Sequence, residues 1–166
     1  MASAVKLYRQ PSSVAAVQRG DRVPDFELAD ETGTPRKLSD FLAKGPVVLF
    51  FYPAAMTYGC TRESCHFRDL KREFDELGAQ RVGISADKVE KQREFSDKHQ
   101  FDYPLLSDPD RQVAATFGVK RGLNFLPNKR ATFVIAPDST LLEVISSEVN
   151  MQKHADRALD VLRARA

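Results

Sequence analysis

Cysteine and histidine are scarce in this chain, two and three in 166 residues. Cys60, Cys65 and His66 stand close together, but His99 and His154 are isolated and no second cluster follows, so the sequence does not supply the four ligands of a zinc site. The eight glycines form neither a dinucleotide fingerprint nor a phosphate loop. No cofactor and no metal are therefore expected. Long apolar runs are also missing: the longest holds six residues, against about 20 for a bilayer-spanning helix, so no membrane partner is expected. The formal net charge is only +2, and its basic residues are dispersed among acids, which argues against a nucleic-acid surface. The first twenty residues lack the apolar stretch of a secretory signal. They do contain Lys6, Arg9 and Arg19, several serines and alanines and no acid, which is transit-peptide composition in outline. The plainer expectation is a loose N-terminal extension over 1–19, followed by a single domain over 20–166 in a cytoplasmic protein whose cysteines are kept reduced.

Both cysteines lie in one short stretch, Pro53-Ala54-Ala55-Met56-Thr57-Tyr58-Gly59-Cys60-Thr61-Arg62-Glu63-Ser64-Cys65, directly after the apolar run Val47 to Tyr52. That run reads as a buried strand. Thr61 to Leu77 reads as an amphipathic helix, with Phe67, Leu70, Phe74 and Leu77 on its inner stripe. Cys60 then falls at the helix start, where unpaired N–H groups and the helix dipole favour a thiolate. Cys60 is the candidate nucleophile. If the helix already runs at Cys60, the two Cα atoms stand about 8–9 Å apart and about 140° around the axis. A disulfide needs about 7 Å or less, so the pair would bond only after the first turn or two unwinds. It reads as a redox couple whose two states differ in fold. On the same wheel Cys65 faces water, and Glu63 falls on the inner stripe. Glu63 either serves the helix dipole or meets a buried cation.

Elsewhere the pattern alternates strands and helices. Val23 to Leu28 and Arg36 to Leu38 flank a turn and suggest a hairpin, and Leu38 to Leu42 makes a helical turn. A strand at Arg81 to Ser85, a helix at Val89 to His99, a strand at Pro104 to Leu106 and a short helix near Gln112 to Phe117 follow. The chain then passes a loop from Gly118 to Asn128, strands Ala131 to Ile135 and Leu141 to Ser147 joined at Pro137-Asp138-Ser139, and a final helix Met151 to Arg163. The order suggests an α/β protein with a central mixed sheet flanked by helices and an N-terminal β-hairpin.

The string Pro53-x-x-x-Thr57-x-x-Cys60 resembles the active-site motif of the peroxiredoxins, and a second cysteine five residues on is similar to the bacterioferritin-comigratory, or peroxiredoxin Q, group. The resemblance extends through Gly83-Ile84-Ser85-Ala86-Asp87, Tyr103-Pro104-Leu105-Leu106-Ser107-Asp108 and Arg130-Ala131-Thr132-Phe133-Val134-Ile135. It implies a thioredoxin-like fold and a thiol-dependent peroxidase acting on hydrogen peroxide and organic hydroperoxides. Cys60 would be the peroxidatic cysteine and Cys65 the resolving one, closing an intramolecular disulfide that thioredoxin reduces. Thr57 would orient the peroxide, Pro53 would shield the thiolate, Arg130 would hold it and Glu63 would steer that arginine. Tyr58 stands where many relatives carry proline, either altering the peroxide entrance or as a surface replacement of no consequence. The resemblance leans to a monomer, with a homodimer as the alternative.

Two readings outside this one are a thioredoxin-like dithiol carrier and a non-enzymatic chaperone or binding module on the same fold. Carriers space their cysteines by two residues and place proline directly before the facing strand; here the spacing is four and Pro127 lies four residues before Ala131. The basic stretch Lys120, Arg121, Lys129 and Arg130 around Leu123, Phe125 and Leu126 either forms an apolar lip for a fatty-acid hydroperoxide or packs on the sheet.

Overall fold

The structure, a computed structural model, describes residues 15–123 and 126–165. Strands β1 (Glu27–Ala29) and β2 (Pro35–Lys37) form the hairpin, and helix α1 (Leu38–Leu42) leads into β3 (Val47–Phe51). Helices α2 (Tyr58–Asp69) and α3 (Lys71–Glu76), strand β4 (Gln80–Ser85), helix α4 (Val89–His99), strand β5 (Leu105–Ser107) and helix α5 (Gln112–Thr116) come next. Strands β6 (Ala131–Ile135) and β7 (Leu141–Ser146) and helix α6 (Met151–Arg165) complete the chain. The sheet order is β2-β1-β5-β4-β3-β6-β7. β3 and β4 run parallel, as do β4 and β5, while β6 is antiparallel to β3 with Phe51 opposite Ala131.

Every residue of β3 is buried, which is why its sequence shows no alternation: a strand covered on both faces needs apolar side chains at each position. Val47, Leu49 and Phe51 enter one apolar layer with α1, α5 and Phe133. Val48 and Phe50 enter the other with Cys60, Phe67, Phe74, Phe95 and the inner face of α6. Phe50 stacks on Phe67 with ring centroids 4.2 Å apart, a contact worth about 0.5–1.5 kcal/mol beyond burial. That stack seats α2 on the sheet and fixes its rotation about its own axis.

The expected helix over 61–77 is two helices, starting three residues earlier and interrupted at Leu70 (φ −92°, ψ 19°). The cause of the break is tertiary. Buried Arg81 of β4, paired with both carboxylate oxygens of Asp102, donates to the Phe67 carbonyl at 2.8 Å, where a continuous helix would bring the Lys71 N–H. The first hairpin strand is shorter than the sequence suggests and the second begins one residue earlier, while the limits of α1 and α4 coincide with those expected. Before the hairpin, the Val17 N–H bonds the Thr116 carbonyl and Arg22 bridges Thr140.

Two turns meet under β3 and β4. Gly45 has φ +147°, and a Cβ there would lie 2.1 Å from the Gly78 carbonyl oxygen. A side chain is excluded by both conformation and space. Gly45→Ala should cost about 2–4 kcal/mol, lowering Tm by roughly 5–10 °C in a domain of this size, as measured by thermal unfolding; an unchanged Tm would show that the turn yields freely.

Candidate active site

β3 delivers the chain to a turn that ends in α2. Asp87, just past β4, holds this turn: its Oδ2 accepts the Ala55 N–H at 2.7 Å and the Ser85 hydroxyl at 2.6 Å. Met56 adopts a left-handed conformation (φ +67°), an unusual one for a side-chain-bearing residue, and Pro53 is half-buried. Thr57 is the N-cap of α2, yet its side chain does not cap. The exposed Thr57 hydroxyl instead donates to the Ala54 carbonyl at 2.8 Å, leaving its lone pairs free. Tyr58, the first helical residue, is 79% exposed, with the Arg62 guanidinium 5.8 Å from its ring. This first helical position is where proline is tolerated because no N–H is needed, so the exchange of proline for tyrosine changes little in the backbone.

Cys60 lies in the first turn of α2 and is fully buried. Arg130, directly before β6, donates from Nη2 to Cys60 Sγ at 3.3 Å. The Phe51–Ala131 pairing of β3 and β6 brings the two residues together although 70 positions separate them. Gly59 makes the approach possible: a Cβ there would stand 3.3 Å from Arg130 Nη2 and 3.1 Å from Met151 Cε. Arg130 also places Nη1 3.4 Å from Glu63 Oε1, and its backbone N–H bonds Glu148 at 3.1 Å. Burial opposes the Arg130 charge, but Glu63 and Cys60 beside it hold its pKa above the ordinary value.

Glu63 faces inward as the helix wheel indicates, and the cation it meets is Arg130. A second neighbour, His154 of α6, was not legible as a site residue. Its Nε2 lies 3.6 Å from Glu63 Oε2, 2.9 Å from the Ser147 carbonyl, and its Nδ1 2.9 Å from the Thr132 hydroxyl. The available signal was its place on the apolar stripe of Ala155, Ala158, Leu159 and Leu162, an odd seat for a surface histidine. Burial pushes the Glu63 carboxyl up to about 8 in spite of Arg130, and burial holds His154 below the usual imidazole range.

Cys65 departs from its expected place. It is half-buried rather than facing water, and burial raises its thiol pKa. Both cysteines are free thiols. Because α2 runs through both positions, helix geometry keeps their Cα atoms about 8–9 Å apart. Downstream of Cys60 the helix is fastened to the body: Tyr103 donates to the Ser64 carbonyl at 2.6 Å, Arg81 to that of Phe67, and Arg68 to the His99 carbonyl at 2.7 Å. In the basic loop, Leu123 is exposed and Leu126 half-buried, Arg121 pairs with Glu148 at 3.4 Å, and Phe125 lies outside the described residues.

Residues 19–144 match the model of the AhpC/TSA family. The crystal structure of peroxidoxin BcpB from Mycobacterium tuberculosis is 63% identical and superposes with a TM-score of 0.87, covering 89% of this chain and 97% of that one. The bacterioferritin comigratory protein of Xanthomonas campestris is 33% identical with a TM-score of 0.77, over 84% of this chain and 91% of that one. The chloroplastic peroxiredoxin Q of Sedum lineare is 37% identical over 156 residues, 94% of this chain and 83% of the relative. A buried thiol held against an arginine on this thioredoxin-like fold defines a thiol-dependent peroxidase. The chain belongs to the AhpC/TSA family and, within it, to the peroxiredoxins of the peroxiredoxin Q and bacterioferritin-comigratory kind.

Proposed function

We propose that Cys60 is the peroxidatic and Cys65 the resolving cysteine of a two-cysteine cycle on a single peroxiredoxin domain. The observation that carries this reading is the Arg130 contact with a buried sulfur at 3.3 Å. The guanidinium stabilises the thiolate and offers further N–H groups to the peroxide oxygens. Thr57, whose hydroxyl keeps its lone pairs, accepts the O–H of the hydroperoxide, and Pro53 screens the sulfur from water. Attack of the thiolate on the terminal oxygen breaks the O–O bond. With one proton added, Cys60–S⁻ and ROOH give Cys60–SOH and ROH. Condensation of the sulfenic acid with the Cys65 thiol forms the disulfide and releases water, and a dithiol reductant of the thioredoxin class restores both thiols.

The five-residue spacing within one helix requires the first turn of α2 to open before that disulfide can close. A missing side-chain N-cap, worth about 1 kcal/mol elsewhere, favours opening from this end. The same spacing counts against the dithiol-carrier reading, since carriers close their disulfide without unwinding. Hydrogen peroxide and organic hydroperoxides, fatty-acid hydroperoxides among them, are the substrates of this reading; the protein acts as a cytoplasmic monomer.

The test is one equivalent of hydrogen peroxide added to reduced protein, followed by intact mass and peptide mapping. A loss of two hydrogens linking Cys60 to Cys65 is the expected result. Cys65→Ser should undergo one rapid oxidation and then stall in a thioredoxin-coupled assay, its steady-state rate falling by about 10²-fold or more. A Cys65→Ser enzyme cycling at the wild-type rate would remove Cys65 from the cycle.

A further inference from the structure

Two acidic groups share one buried cation in this site. Cys60 Sγ lies 3.3 Å from Arg130 Nη2, and Glu63 Oε1 lies 3.4 Å from Nη1 of the same guanidinium. Glu63 is fully buried and, among the described residues, neither of its oxygens accepts a hydrogen bond. His154 brings no charge of its own. Burial holds its imidazole below the usual range; the Ser147 carbonyl can only accept, so Nε2 carries the hydrogen of the neutral ring and Nδ1 accepts from the Thr132 hydroxyl. The remaining charged groups that face the cluster are Glu148 and Lys153, opposite in sign, exposed and screened by water. Arg130 can therefore balance one buried anion, and two beside it would repel each other where water is excluded.

We propose that Glu63 is a carboxylic acid while Cys60 is a thiolate and ionises when the sulfur loses its charge, so that the two residues pass one negative charge across Arg130. The inference rests on the peroxidase reading above. In the first step Cys60–S⁻ and ROOH give Cys60–SOH and RO⁻. In the second, RO⁻ and the Glu63 carboxylic acid give ROH and the Glu63 carboxylate, which then holds Arg130. No proton is drawn from bulk water, and the leaving alkoxide is neutralised within the site. Glu63 thereby becomes the source of the proton that the overall reaction consumes, acting through the Arg130 guanidinium that it lies against, which gives up a hydrogen to the alkoxide and takes one from the carboxyl. The upward shift of its carboxyl pKa by burial is the condition this exchange needs at neutral pH.

Infrared difference spectroscopy on Cys65→Ser protein, in which the sulfenic acid persists, tests the exchange. Addition of hydrogen peroxide should remove the carbonyl stretch of a protonated carboxyl and add a carboxylate band, both shifted by ¹³C-glutamate labelling, which needs no substitution at Glu63. In weakly buffered solution at pH 7 the same oxidation should take up close to no protons, against about one per thiol oxidised in a Glu63→Gln, Cys65→Ser protein. A carboxyl band that is missing from the reduced protein, or unchanged on oxidation, overturns the proposal. Trapping the sulfenic acid by mass in the same sample keeps the two failures apart. Sulfenic acid without a carboxyl change sinks the charge exchange alone, whereas no sulfenic acid at Cys60 sinks the peroxidase assignment on which it rests.

Discussion

Cys60→Ser should lose more than about 10⁴-fold in peroxide reduction, with the fold intact. Serine oxygen is not ionised at neutral pH and is a far weaker nucleophile toward the O–O bond, and removing a covalent nucleophile elsewhere costs on this scale or more. Stability should change little, because the hydroxyl is close in size to the thiol and Glu63 remains beside Arg130 to balance its charge. Stopped-flow peroxide consumption and thermal unfolding measured together check both halves. Residual rapid consumption would place the nucleophile elsewhere, and Cys65, a half-buried thiol whose pKa is raised, would then be examined by the same substitution.

Arg130→Ala should have the second-largest effect, and on two properties at once. Oxidation of Cys60 should slow by about 10²- to 10³-fold, the usual loss when a preorganised donor to a developing charge is removed. Stability should also fall. Removing one partner of a buried ion pair costs about 3–5 kcal/mol when the other stays charged, but Glu63 escapes part of that by holding its proton. A loss of about 2–3 kcal/mol is expected, or roughly 4–10 °C in Tm. The loss should be flat below about pH 8 and grow above it, where the wild-type Glu63 ionises beside Arg130 while the variant's carboxyl, its pKa raised further without the cation, still holds its proton. Arg130→Lys retains the charge, but a single ammonium cannot reach sulfur and carboxylate along two directions as the planar guanidinium does; it should recover stability more fully than rate. Equal recovery of both would show that charge alone suffices.

The local part of this site is legible in the chain. Pro53, Thr57, Gly59 and Cys60 lie within eight residues, and their chemistry follows from a strand emptying into a helix start. Glu63 is legible one step further, since the helix wheel turns a carboxylate toward the core and thereby demands a cation. Which cation is a matter of topology: Arg130 reaches Cys60 only because β6 pairs with β3, and periodicity carries no record of strand order. His154 is less legible again, as its role depends on α6 lying over the mouth of α2. The helix limits went astray for related reasons. Tyr58 and Gly59 fall before the expected helix start at Thr61 although both are helical and the glycine lies close to Arg130, and the interruption at Leu70 comes from Arg81 of β4. The half-burial of Cys65 has the same origin, because an ideal wheel knows only its own helix.

The pairing of Phe51 with Ala131 gives the molecule an internal proof of assembly. Side chains alternate across a strand, so a slip of β6 by one residue would send Arg130 to the opposite face of the sheet, away from Cys60. Peroxide consumption during refolding would then lag behind the recovery of secondary structure and mark the moment at which β6 finds its place, making the enzyme its own probe of registry.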